Sequence, residues 1–259
     1  ACRAAPTGRR PGAVSTAGVL VIGNEVLSGK VEEENARYLV RELRALGVDL
    51  QRIVVVRDDV DTIAEDLRAM AARFTWVFTS GGVGSTHDDV TLSAVAKAFD
   101  VPLREQPEVL ALLESYFKER MNDAVRRMAW LPEGTTLEGL GELPFPVMRV
   151  RNVYVFPGVP RYLRMKFEYL KAHLKVEQPF VLRQLFLRVT EDRLAIPFAR
   201  EAARFPDLDF GSYPQLDDAE VKTKLTVEGR DPARVAAAFH ALLEWLDPGW
   251  VVRTEPPTV

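Results

Sequence analysis

The sequence predicts an α/β fold with a mostly parallel sheet and helices on both faces, followed by a small α+β domain. Short apolar runs such as Gly18–Ile22 and Trp76–Thr79 are typical of strands that are buried on both faces. They alternate with segments whose apolar residues recur at helical spacing. The last third of the chain has the order strand, helix, strand, strand, helix, strand, which is that of a split βαβ unit.

The first part begins with the strand Gly18–Ile22, which we expect to run directly into a loop. A helix follows from Asn35 and ends near Gly47, a residue type that is common after helix ends. Val48–Val56 is rich in valine and predicts the second strand. A second helix has Ile63, Ala64, Leu67 and Met70 as its buried face, and it leads to the third strand and a glycine-rich loop.

The rest of the first part contains two helices, a polar connection and a hairpin. Pro107–Met121 predicts the second of these helices, and Arg151–Asn152 predicts the turn of the hairpin. Pro160 favours the first turn of a further helix.

The second part restarts after a boundary near residue 176. Its predicted elements are the strand Val181–Val189, the helix Glu191–Arg204, the strands Leu208–Tyr213 and Glu220–Glu228, a helix that begins at Asp231–Pro232, and the strand Trp250–Arg253. The expected domains are therefore residues 17–175 and 176–259, after a disordered leader over residues 1–16, which is rich in Ala, Arg, Pro and Gly.

Composition excludes several classes of partner. The chain has 34 Lys and Arg against 37 Asp and Glu, and a net charge of −3, so there is no overall basic field for nucleic acid or an anionic membrane. No apolar stretch approaches the ~18 residues of a membrane span. The single cysteine, Cys2, favours a reducing, cytoplasmic setting.

Three loops leave the predicted carboxyl ends of strands: GNEVLSGK, TSGGVGSTHDD and FPGVP. In an open α/β sheet, ligands bind outside these strand ends. The three loops therefore define the candidate site.

The glycine-rich loop has the residue types of an anion site. Gly81, Gly82 and Gly84 allow close approach of the backbone, and Ser85 and Thr86 add hydrogen-bond donors. The alternative is an ordinary turn that Thr86 or Thr91 caps. The dinucleotide fingerprint fails because a histidine replaces the third glycine, and no P-loop motif is present.

Two adjacent aspartates, Asp88 and Asp89, end this loop, and a carboxylate close to phosphate repels it. Either they cap the next helix, or they bind a divalent cation that bridges to phosphate. Asp58 and Asp59 follow the second strand at the same edge and are candidates for the same site, for Mg²⁺, Mn²⁺ or Co²⁺, but they are equally typical of surface acids.

Other polar residues of these loops have two interpretations each. Glu25 and Asn35 are candidates to orient ligand hydroxyls or to activate a water, while helix capping is the expected role of Asn35 by its position. His87 is a candidate for ligand contact or for packing. The three histidines of the chain form no zinc pattern, and no G-x-S-x-G nucleophile motif is present.

Three segments, SGGVGSTHDDVT, GNEVLSGKVEEENARYL and RNVYVFPGVP, resemble the molybdopterin-binding-like domain of molybdenum cofactor enzymes and CinA. Their sequences are most similar to the N-terminal domain of eukaryotic FAD synthase. The resemblance extends over residues 17–253, and FGSYP followed by VKTKLTVEG is similar to the family's small domain.

The resemblance implies a pocket lined at matching positions, which in this chain are Glu25, Asn35, Asp58, Gly81, Gly82, Gly84, Asp89, Pro157, Gly158 and Pro160. It implies binding of a pterin or nucleotide, and THDD with the small domain favours metal-dependent hydrolysis of the diphosphate bond of FAD or ADP-ribose, with Asp58, Asp88 and Asp89 as ligands. K⁺ is a further candidate ion, and dimers or trimers are expected for this fold. The alternatives are a non-catalytic pterin- or nucleotide-binding module of molybdenum cofactor biosynthesis, and a scaffolding oligomer.

The chain departs from the CinA pattern after Met121, where Val125 and Met128 stand in place of Asn and Gln. Any role of those side chains in CinA is not carried over. The sequence ends at TEPPTV without the amidase domain of CinA or the adenylyltransferase domain of FAD synthase, so we expect neither of these activities from it.

Overall fold

The computed structural model describes residues 15–174 and 178–258, and the chain divides into two compact units between residues 177 and 178. Residues 1–14 of the expected leader and the expected boundary at residue 176 lie outside the described residues. Ser15 is buried and Thr16 begins the first strand, so the last two residues assigned to the leader belong to the folded unit.

The first unit has a six-stranded sheet in the order β2-β1-β3-β8-β7-β6. Four neighbouring strands are parallel, and the β7 and β6 strands extend the sheet by antiparallel pairs. The strands are β1 (Thr16–Ile22), β2 (Asp49–Val56), β3 (Trp76–Ser80), β6 (Thr136–Glu138), β7 (Val147–Val150) and β8 (Val153–Phe156), with a separate antiparallel pair, β4 (Leu103–Glu105) and β5 (Trp130–Pro132).

Helices cover both faces of this sheet, as the sequence predicts. The helices are α1 (Asn24–Leu27), α2 (Asn35–Ala45), α3 (Val60–Arg73), α4 (Thr91–Phe99), α5 (Pro107–Phe117), α6 (Asp123–Arg127) and α7 (Pro160–His173). Neighbouring residues of a strand face opposite sides, so Val19 packs in one core with α2 and α7, while Leu20 packs in another with α3 and α4. The predicted fold class is confirmed.

The second unit is a four-stranded antiparallel sheet with two helices. Its strands β9 (Val181–Leu187), β10 (Asp209–Pro214), β11 (Thr223–Gly229) and β12 (Val251–Thr258) lie in the order β10-β11-β9-β12, and its helices are α8 (Glu191–Arg204) and α9 (Pro232–Trp245). This is the α+β order that the sequence predicts.

Three local expectations were wrong. The segment after β1 contains the helical turn α1 where a loop was expected, and the connection expected to be only polar contains α6, β5 and β6. The helix expected to reach Met121 ends at Phe117, because Lys118 has a left-handed φ of 49° and begins a short 3-10 turn. Elements this short have too few residues to show a period.

None of the helices in the described ranges is long and apolar enough to cross a bilayer.

A buried lysine packs between α7 and the start of β7. Lys166 is 6% exposed, and its Nζ donates a hydrogen bond of 2.7 Å to the Pro146 carbonyl. Burial disfavours the ammonium form and lowers the pKa of Lys166 from 10.5 to about 8.

We expect Lys166 to make the free energy of unfolding increase with pH above about 8. Between the folded pKa of about 8 and the unfolded value of 10.5, the unfolded chain binds the extra proton, so the free energy of unfolding increases, by on the order of 3 kcal/mol over the full interval. Lys166→Met should remove this rise in urea unfolding between pH 7.5 and 9.5. Lys118→Met, at an exposed position, should retain it, and equal slopes in the wild type and Lys166→Met would contradict the assignment.

Candidate functional site

The carboxyl ends of β1, β2, β3 and β8 lie at one edge of the sheet because these strands are parallel. Hydrogen bonds join the loops that leave them. The Gly23 N–H donates to the Val56 carbonyl and the Gly81 N–H to the Phe156 carbonyl, both at 3.1 Å. The three predicted loops therefore meet at this edge, together with the loop after β2.

Asn35 lies at the point where these loops come together. Its side-chain Nδ2 donates to Ser80 Oγ at 2.8 Å and to the Gly158 carbonyl at 2.7 Å. The residue is 5% exposed, and its Oδ1 has no hydrogen-bond partner among the described residues. Asn35 thus joins the start of α2 to the end of β3 and to the turn after β8.

The expected capping role of Asn35 was wrong. It is the first residue of α2, Glu34 occupies the cap position, and no cap side chain bonds there. Instead, Glu33 accepts the Ala36 N–H at 2.9 Å and 3.0 Å with its two carboxylate oxygens. A carboxylate suits the positive end of the helix dipole, which leaves the Asn35 amide for contacts across the site.

The glycines of the loop Gly81–Val90, called the glycine loop below, permit very close backbone packing. A Cβ on Gly81, whose φ is 107°, would lie 2.1 Å from the Ile22 carbonyl oxygen. A Cβ on Gly82 would lie 2.4 Å from Thr91 Oγ1, and one on Gly158 would lie 3.3 Å from the Gly81 Cα. Thr91 donates its hydroxyl to the Gly81 carbonyl at 2.8 Å, so it does brace the turn.

The two aspartates of the glycine loop differ in their contacts. Asp89 Oδ2 accepts hydrogen bonds from the Thr86 N–H at 2.8 Å and from the Thr86 hydroxyl, and these bonds leave Oδ1 unused. The Thr86 hydroxyl also lowers the pKa of Asp88, with a smaller contribution from that residue's own backbone N–H. A hydroxyl has one proton, so it donates to one of the two carboxylates at a time.

The aspartates after β2 also divide their roles. Asp58 Oδ2 accepts the Asn24 N–H at 2.8 Å, so it holds α1 against the end of β2. Asp59 caps α3, accepts the N–H and hydroxyl of Thr62, both at 2.8 Å, and the backbone bond from Thr62 is the largest cause of its lowered pKa. Of the pair, Asp59 is a cap and Asp58 is a connection between loops.

No group of three or more His, Cys, Asp or Glu side chains placed to hold a metal ion occurs within residues 15–174 and 178–258. The ligand set Asp58, Asp88 and Asp89 therefore stays a prediction.

The remaining predicted residues occupy the same edge. Glu25 is exposed on α1, and its carboxylate lies over Gly23, where a Cβ would come within 2.6 Å of it. Pro157 precedes the Gly158 turn, and Pro160 is the first residue of α7.

A cleft of about 800 Å³ opens beside the glycine loop. Of the predicted residues it is lined by Gly82, Gly84, Ser85, Thr86, His87 and Asp89, whereas Glu25, Asn35, Asp58, Gly81, Asp88, Pro157, Gly158 and Pro160 are not part of its lining. The predicted residues therefore fall into two neighbouring sets, with the glycine loop as their shared boundary.

Sequence reasoning missed the other wall of the cleft. It is formed by α6 and the residue after it, by β5 and by the start of β4: Asp123, Ala124, Arg126, Arg127, Met128, Trp130 and Leu103. An arginine pair followed closely by tryptophan was the available signal, but it lay in a segment expected to be only a polar connection.

Comparison with known proteins follows the same division of the chain. The family model described as "Probable molybdopterin binding domain" matches residues 18–175, and the model "FAD synthase, middle domain" matches residues 179–255. A "Probable FAD synthase" of Caenorhabditis briggsae is 31% identical over a gapped alignment of 263 residues that covers 91% of this chain and 50% of the relative. The chain thus spans about half the length of the first curated relatives that it matches.

Two further relatives differ in length. A protein of Archaeoglobus fulgidus is 31% identical over 231 residues, covering 88% of this chain and 97% of its own length. A "CinA-like protein" of Synechococcus is 30% identical over 242 residues, covering 88% of this chain and 57% of the relative.

Among solved structures, CinA from Thermoplasma acidophilum superposes with a TM-score of 0.57 at 27% identity, covering 62% of this chain and 98% of that chain. Its match agrees with the molybdopterin-binding model that covers most of the first unit. The chain belongs to the molybdopterin-binding domain family, and its second unit matches the middle domain of FAD synthase.

Proposed function

We propose that this protein is a nucleotide pyrophosphatase that hydrolyses the diphosphate bond of FAD, ADP-ribose or a related dinucleotide with the help of a divalent cation. The observation that carries the proposal is that Asp89 lines a cleft of about 800 Å³ in a glycine-rich loop, with the exposed Asp88 beside it in the chain. A loop with these glycines suits phosphate, and two carboxylates in it require a cation between them and the phosphate.

The cleft supports a substrate of nucleotide size, because small-molecule sites usually have volumes of ~300–1,000 Å³. The relatives named FAD synthase and CinA-like protein support a nucleotide as the substrate class. Backbone N–H groups of Gly82, Gly84 and Ser85 are the donors that would face the diphosphate.

The reaction adds water across the diphosphate. The oxygen of a water molecule forms a bond to one phosphorus, and the bond from that phosphorus to the bridging oxygen breaks. The bridging oxygen leaves on the other phosphate, and the proton lost by the water passes to a carboxylate or to solvent. FAD would yield AMP and FMN, and ADP-ribose would yield AMP and ribose 5-phosphate.

The cation would be shared with the substrate. Mg²⁺ commonly uses one or two carboxylates together with substrate phosphates, and Asp89 Oδ1 and the exposed Asp88 are the carboxylate oxygens that the loop leaves available. Asp58, whose Oδ2 is engaged by Asn24, is the third candidate. When bound, such a cation polarises phosphoryl oxygens and lowers the pKa of a bound water.

The first test is the Asp89→Asn variant. Asparagine keeps an oxygen that can accept the Thr86 N–H, so the loop should be preserved while one negative charge is removed. The variant and the wild type are incubated with FAD or ADP-ribose in the presence of Mg²⁺, Mn²⁺ or Co²⁺ and of K⁺, and the AMP released is measured by chromatography. We expect the rate of AMP release to fall at least ~100-fold in the variant.

The matched control is Asp100→Asn, which changes the same residue type at the other end of α4, where Asp100 has a left-handed φ of 54° that asparagine tolerates. This variant should retain wild-type turnover. Full turnover in Asp89→Asn would reject the assigned role.

A second test measures whether Mg²⁺ raises or lowers the affinity of the protein for ADP. In calorimetry, Mg²⁺ should tighten ADP binding to the wild type because it screens the carboxylates from phosphate. In the double variant Asp88→Asn, Asp89→Asn, ADP should bind more tightly without metal than it does to the wild type, and Mg²⁺ should add little. Equal responses to Mg²⁺ in both proteins would show that these carboxylates do not hold the cation.

The second candidate function is a non-catalytic molybdopterin- or nucleotide-binding protein related to molybdenum cofactor biosynthesis. The description of the matching family model as a molybdopterin binding domain favours it. Tight binding of a pterin or nucleotide with no AMP under any metal condition would establish this candidate and reject the first. The expected homo-oligomer also stays a prediction, which sedimentation equilibrium would check.

A further inference from the structure

The cleft wall opposite the glycine loop is built around one carboxylate. Glu105 of β4 lies opposite Trp130 of β5 in the antiparallel pair. It accepts two hydrogen bonds from the Arg126 guanidinium, at 2.7 Å and 3.1 Å. The Arg126 guanidinium is the main cause of the lowered pKa of Glu105.

Trp130 shares a face of this strand pair with Glu105, because side chains of directly opposite residues in an antiparallel pair are neighbours. Trp130 is 44% exposed and lines the cleft. An aromatic ring with an open surface is the usual platform for stacking a planar heterocycle.

Arg127 provides a cation on the same wall. Its neighbour Arg126 is neutralised by Glu105, but Arg127 has no ion pair with any residue of the described chain, and it also lines the cleft. A guanidinium has five donors in a planar fork that matches phosphate geometry. The wall thus combines an exposed aromatic ring with the Arg127 guanidinium and the Asp123 carboxylate, across from a loop suited to phosphate.

The wall has its own small core, which gives it rigidity. Val125, Ala129 and Leu131 are buried against Val109 and Leu113 of α5. Trp130 stands between the buried residues Ala129 and Leu131, so the backbone that carries its ring is anchored in this core.

We propose that Trp130 and Arg127 form a subsite that selects ligands in which a planar heteroaromatic ring is joined to phosphate. The ring stacks on Trp130, and Arg127 contacts the phosphate from the side opposite the glycine loop. This inference rests on the proposed function in placing the substrate in this cleft, and it adds the part of the substrate that decides specificity. Adenine and flavin nucleotides share this chemistry.

The test measures binding rather than turnover, by calorimetry on the whole chain with ADP, FMN and inorganic pyrophosphate. Base stacking on an aromatic ring contributes ~1–3 kcal/mol per base to binding. Trp130→Ala should therefore raise the Kd of ADP, of FMN or of both about tenfold or more. It should leave pyrophosphate, which has no ring, unchanged. Trp130→Phe should restore most of the affinity, and the ligand that responds identifies the ring.

Arg127→Gln should raise the Kd of all three ligands, because each contains phosphate. It should also reduce the dependence of the Kd on salt concentration. Arg120→Gln is the matched control, since Arg120 is also exposed but lies over the Phe117 ring outside the cleft lining. Tyr116→Ala, at a residue that is 55% exposed and not in the cleft lining, controls for loss of a surface aromatic ring.

The outcomes separate this inference from the proposed function. Unchanged ADP and FMN binding in Trp130→Ala, or no binding of either to the wild type at millimolar concentration, would overturn the subsite, even if the wild type releases AMP. An unchanged Kd in Arg127→Gln would overturn the role of that residue. Trp130-dependent binding in a protein that releases no AMP would support the subsite and reject the pyrophosphatase.

Discussion

Two hydrogen bonds from a single buried amide hold the candidate site together. Asn35 Nδ2 bonds Ser80 Oγ and the Gly158 carbonyl, and these partners belong to the end of β3 and the turn after β8. A side chain without two donors at this position would lose one of these bonds, and a hydrogen bond typically contributes ~0.5–1.5 kcal/mol to stability. The Oδ1 of the same residue is buried and has no partner among the described residues, and an acceptor of this kind calls for explanation in a native fold.

The close backbone contacts around Asn35 set the course of the glycine loop. No side chain fits at Gly81, because its Cβ would overlap the Ile22 carbonyl. The loop therefore packs directly on the end of β1 before it turns into α4, and its acidic end is placed beside the cleft. Asp89 does not cap α4, whose cap position is held by Val90 without a side-chain bond. One of its oxygens orders the loop through Thr86, and its role towards a cation stays a prediction.

The sequence predicted the main strands and helices because their patterns are long. α2, α3 and α7 each have 11 to 14 residues, which is enough for helical spacing to be recognised. In contrast, α6 has five residues and β5 has three. These short elements depend on packing against α5, and for this reason Arg127 and Trp130 could not be placed in the cleft before the structure was known.

By itself, the sequence determined the fold class, the order of the main elements and the loops that carry the candidate site. Tertiary structure decided how those loops are joined, since Asn35 lies 45 residues from Ser80 and 123 from Gly158, and Asp58 bonds Asn24 from 34 residues away. It also decided which wall faces the glycine loop. The physical reason is that periodicity and backbone preference act within a few residues, whereas hydrogen bonds between loops depend on the register and packing of segments far apart in the chain.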